Sequence, residues 1–138
     1  MFGNDRGNLR RYYVQCWQKA RNQQPLDALE QQIAQVIREH PEYHALLENE
    51  ASLQRDWLPE DGQTNPFLHM SLHLGIREQV ATNRPVGIAA LYQQLCQCYG
   101  TLAAEHRMME CLGESLWLAQ RHNRAPDETA YLECLKKC

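Results

Sequence analysis

The sequence is short of β-branched residues, and no stretch alternates apolar and polar side chains between turn residues. A sheet is therefore not expected. No apolar run approaches the roughly 20 residues of a membrane-spanning helix. Residues 1–24 are polar, carry Arg6, Arg10, Arg11, Lys19 and Arg21, and lack the apolar segment of a secretory signal. A cytoplasmic location is the expectation. Gly-rich phosphate loops, the G-x-S-x-G elbow and the kinase signatures are all missing, which excludes the corresponding nucleotide-binding, hydrolase and kinase templates. An excess of basic charge is missing too. The net charge of −3 argues against a dedicated nucleic-acid binder. The basic residues near the start read as a solvated helix face. A nucleic-acid adaptor working through that face is the weakest of three readings. The expected partner is another protein or a second copy of this chain, not a membrane.

The six cysteines, Cys16, Cys96, Cys98, Cys111, Cys134 and Cys138, form no C-x-x-C pair, which excludes the usual zinc ribbon and thioredoxin-like arrangements. Without a secretory signal they read as reduced thiols. Cys16 and Cys111 lie in apolar patterns and are expected in the core. Cys138 reads as incidental.

What is present is helical patterning. The 138 residues, 43% hydrophobic, suit one all-α domain over 1–138, a compact bundle of six or seven helices. The first helix is expected over 8–21, with Leu9, Tyr13, Cys16, Trp17 and Ala20 on one face. Pro25 starts a second, with Asp27 and Glu30 at its positive end and Leu26, Leu29, Ile33, Val36 and Ile37 buried. Pro41 disfavours helical geometry at His40 and breaks the chain there. A short helix follows over 42–51, then a loop over 56–64 containing Trp57. Asn65-Pro66 opens a helix to about Ala81. Arg84-Pro85 opens another, ending at Gly100. Thr101 caps a long helix to about Arg121, and Pro126, Asp127 and Glu128 start the last. Gly75 and Gly113 interrupt good helices, where glycine costs about 1 kcal/mol relative to alanine. Close helix contact is the expected reason.

Five of the six histidines fall in local patterns of spacing four. His69 and His73 share one face of a helix, and so do His106 and Glu110. His40 and His44 have the same spacing, but Pro41 lies between them. Two imidazoles one turn apart can reach one metal ion, and imidazole suits zinc, iron, nickel and copper. A carboxylate at the same spacing adds an oxygen ligand. H-E-x-x-H is absent, and so is the paired Glu-x-x-His of di-iron bundles. In spacing alone the pieces resemble those of hemerythrin-type bundles, and His44 with His69 and His73 is similar to the triads of DinB-like bundles. The expected ligand set is His69, His73, His106, Glu110 and His44, holding a divalent transition metal such as zinc or iron. The alternative is a metal-free, homodimeric interaction module in which His73 bonds a carboxylate across helices. A metal-free acid–base site is also compatible with imidazole chemistry near neutral pH. No motif assigns a reaction.

The segments HPEYH at 40–44, GQTNPFLHMSLHLGIREQ at 62–79, RPVGI at 84–88, EHRMMECLGESLW at 105–117 and APDETAYLECL at 125–135 resemble a proteobacterial family of uncharacterised proteins, the domain-of-unknown-function family numbered 1841. The resemblance spans nearly the whole chain. It implies a small bacterial cytoplasmic protein. It implies no activity and transfers no site residues.

Overall fold

The structure is a computed structural model that describes residues 2–49 and 65–138. It contains helices α1 (Phe2–Arg21), α2 (Ala28–Arg38), a 3-10 turn (Pro41–Tyr43), α3 (His44–Leu47), α4 (Pro66–Thr82), α5 (Ile88–Tyr99), α6 (Thr101–Arg121) and α7 (Glu128–Lys136). Among the described residues there is no strand. The fold class is all-α, and the described residues hold seven α-helices, where the patterning predicts six or seven. No described helix is long and apolar enough to cross a membrane. The expected loop over 56–64, Trp57 and the far end of the short helix at Ala51 lie outside the described residues. The chain groups into two compact units, Met1–Met70 and Ser71–Cys138. Helix α4 runs through the boundary.

In the first unit α1 packs on α2 and α3. Tyr13, Cys16 and Trp17 of α1 are buried, as are Ile33, Ala34, Val36 and Ile37 of α2 and Leu47 of α3. Leu9 and Leu29, expected inward, are 44% and 52% exposed. Leu29 is the second residue of α2, while Leu9 lies seven residues inside α1, beside the buried Arg10. The N-terminus of α2 is Asp27 rather than Pro25. Its carboxylate accepts from the Glu30 amide at 2.8 Å, and Glu30 accepts in return from the Asp27 amide at 3.0 Å. This reciprocal box satisfies two amides that the helix itself leaves without acceptors. The other Glu30 oxygen takes Lys19 Nζ at 2.6 Å. Together the amide bond and the lysine hold the Glu30 carboxyl below its ordinary range.

In the second unit α5, α6 and α7 pack on one another. The core holds Ile76, Ile88, Leu95, Met108, Leu112, Tyr131 and Leu135. Tyr131 donates to Gln79 Oε1 at 2.6 Å. Helix α4 starts as expected, with Asn65 Oδ1 accepting from the amides of Phe67 and Leu68 at 2.9 and 3.3 Å. Asp127 accepts from the Ala130 amide at 3.1 Å and caps α7. Thr101 makes no cap. Gly100, at φ 85° and ψ 164°, precedes α6 instead. A left-handed φ suits glycine, and here it lets α5 end and α6 begin across one residue. A Cβ on Gly75 would meet Leu112 Cδ2 on α6 at 3.4 Å, an ordinary contact, so Gly75 lies against α6 without the spacing demanding a glycine. Gly113 faces nothing within 4 Å among the described residues.

The cysteines depart from expectation. Cys111 and Cys134 form a disulfide that joins α6 to α7, with their Cα atoms 5.8 Å apart. That separation lies in the usual range for a bridge. Cys16 is buried as expected, and burial pushes its thiol up to about 11, leaving it a core residue without reactivity.

Candidate functional site

In the first unit the site begins where α2 ends. Proline disfavours α geometry in the residue before it, and His40 adopts φ −126° and ψ 68°. Its amide reaches back three residues, to the Ile37 carbonyl at 3.0 Å. Its ring is 3% exposed, and Nδ1 lies 2.8 Å from the Val36 carbonyl oxygen. Tyr43 stacks parallel to the ring at 5.5 Å. The ring of His69, on α4, meets it edge-on at 5.1 Å between centroids. His44 goes elsewhere. Its Nε2 lies 2.8 Å from the Ile37 carbonyl, and its ring packs on Trp17 at 4.3 Å. Pro41 thus separates the two histidines as its chemistry requires.

In the second unit His73 and Glu105 are both fully buried. His73 Nδ1 lies 2.7 Å from Glu105 Oε1. The same carboxylate accepts from Arg77 Nε at 3.0 Å, from Arg77 Nη2 at 2.9 Å and from the Tyr92 hydroxyl at 2.7 Å. Burial alone would raise the Glu105 pKa. The hydrogen bonds from His73, Arg77 and Tyr92 outweigh it and hold the carboxyl at about 2. Burial, then the Glu105 carboxylate, pushes the Tyr92 phenol upward. Glu105 is therefore an anion at neutral pH with three side chains aimed at it. The exposed ring of His106, next along α6, meets His73 edge-on at 4.9 Å.

A carbonyl and a carboxylate can only accept. The Nδ1 atoms of His40 and His73 therefore carry their protons, and in the neutral rings Nε2 holds the lone pair. Histidine ligands of metals show this pattern, with the second nitrogen donating to a carbonyl or carboxylate. His69 and His73 lie one turn apart on α4. Each pair of neighbouring rings, His40 with His69 in the first unit and His73 with His106 in the second, offers two imidazoles to a metal ion.

Of the residues expected from spacing, His69 lies in the first of these pairs, and His73 and His106 form the second. His44 is held by Ile37 and Trp17, and Glu110 is exposed on α6 outside both pairs. His40, absent from the expected ligand set, is the partner of His69. Glu105, Arg77 and Tyr92 were not singled out as a unit. The signal for Glu105 was available: it stands three, four and seven residues before Met108, Met109 and Leu112, on the buried stripe of α6. A carboxylate on a buried stripe requires donors, and Arg77, four residues after His73, stands beside it on α4.

Residues 5–137 match a family model described as Domain of unknown function (DUF1841). The chain belongs to that family. No curated protein and no solved structure matches it.

Proposed function

We propose that this member of an uncharacterised family binds a divalent transition metal, zinc or iron, through its paired imidazoles, His40 with His69 and His73 with His106. The observation that carries the reading is the shared state of His40 and His73. Each ring is buried, and each is anchored through Nδ1 so that Nε2 is the coordinating nitrogen. Helix α4 supplies His69 and His73 a turn apart, and each has a second imidazole beside it. Imidazoles are borderline-soft donors, which suits zinc or iron better than calcium or magnesium. The exposed edge of His106 gives an ion a route from solvent. His44 and Glu110 take no part in this reading, because the His44 Nε2 is taken by the Ile37 carbonyl and Glu110 stands outside both pairs.

A second reading has one observation in its favour. Glu105 is fully satisfied by His73, Arg77 and Tyr92, so the network can stand as structure in a metal-free interaction module. Elemental analysis of untagged protein, as purified and after reconstitution with Zn²⁺ or Fe²⁺, separates the two. The metal reading expects at least one ion per chain, with bound metal reduced in H40A and in H73A. Protein that stays metal-free after reconstitution overturns it in favour of the structural network.

A further inference from the structure

Cys138 lies against the disulfide. Its Sγ is 3.8 Å from Cys111 Sγ, 3.6 Å from the Cys134 carbonyl oxygen and 3.8 Å from the Arg107 carbonyl oxygen. Cys134 lies in α7 and Cys138 just beyond its end, where the Cys138 amide still bonds the Leu135 carbonyl at 3.1 Å. The turn is thereby continued, and the two residues, four apart, both come up to Cys111. Cys111 and Cys134 also line a cavity of about 90 Å³ together with Ser115, Leu118, Arg124 and Tyr131. Cys111 is buried, while Cys134 and Cys138 are each half-buried.

We propose that Cys111, Cys134 and Cys138 form a thiol–disulfide exchange centre rather than a fixed staple and a spare thiol. Cys138 gives up its proton to water, and its sulfur bonds Cys111 Sγ. The Cys111–Cys134 bond breaks, and its electron pair leaves on Cys134, which takes up a proton. One disulfide and one thiol stand on each side of this step, so no oxidant or reductant is consumed. The exchange moves the thiol from the chain's last residue to the wall of the cavity. There it can meet a small disulfide or an electrophile. Cys111 is the shared sulfur in both pairings, because Cys134 and Cys138 both stand against it.

The test uses the intact chain, purified without reductant, held at pH 8, quenched in acid, denatured and labelled with N-ethylmaleimide under mildly acidic conditions that freeze exchange. Cleavage after glutamate and fragmentation of the 134–138 peptide then locate the label. The expected result is two populations, one labelled on Cys138 and one on Cys134, with Cys134 labelling lost in C138S. Label on Cys138 alone overturns the proposal. So does labelling of Cys134 in C138S, which would report reduction instead of exchange. A chain labelled on all three cysteines, even after treatment with oxidised glutathione, overturns it as well.

Discussion

Replacing Glu105 with glutamine tests how much of the second unit's stability resides in one buried carboxylate. The substitution keeps the shape and removes the charge. It also puts an NH₂ group where two oxygens now accept from His73, Arg77 and Tyr92. At least one of those donors then faces another donor. Breaking a buried ion pair by removing one partner costs about 3–5 kcal/mol. The Arg77 side chain is 24% exposed and can turn toward water, which favours the lower end. Linkage gives a similar figure. Burial opposes ionisation of Glu105, yet the hydrogen bonds bring its carboxyl from 4.5 to about 2. That displacement corresponds to about 3 kcal/mol at neutral pH. The sign is that of a depressed carboxyl. The stabilisation is complete above pH 4.5 and is lost as pH falls from there toward 2. Urea denaturation at pH 7 should place E105Q about 3 kcal/mol below the parent chain. The gap should close in acid, because the parent alone loses this contribution. A difference under about 1 kcal/mol at pH 7, or acid profiles that run parallel, would refute the reasoning.

Two further substitutions test local readings. D27A removes the carboxylate that caps α2 and should cost about 1 kcal/mol, seen as a lower urea midpoint. G113A should stabilise by about 0.5–1 kcal/mol, because a Cβ there meets nothing within 4 Å among the described residues and alanine is the better helix former. A destabilised G113A would mean that this glycine has a neighbour unaccounted for.

The helices were legible because their punctuation is local. Asn65-Pro66, Gly100 and Pro126-Asp127 act on backbone groups within a few residues, so a sequence displays both the signal and its effect. Leu9 and Leu29 depart from expectation because periodicity says which face is apolar, not which of its residues a neighbour covers. The site was half legible. His69 and His73 share a helix, so their spacing fixes their geometry. His40 was masked by the rule that correctly identified the break at Pro41, because a break says where a helix stops and not where the freed side chain goes. Glu105 and its donors come from three helices, and the disulfide joins two. Spacings of 32 and 23 residues carry no periodic signature.

Pro41 does more than divide two histidines. In an uninterrupted helix the Val36 carbonyl would belong to the amide of His40, four residues on. Because the helix stops, that amide goes to Ile37, and the carbonyl is left for the imidazole of the same residue. The side chain takes over the bond that the backbone gave up. A substitution that let α2 run on by one residue would return the carbonyl to the ladder and strip the ring of its tautomer. A change at position 41, where no ligand lies, would therefore alter which nitrogen His40 presents.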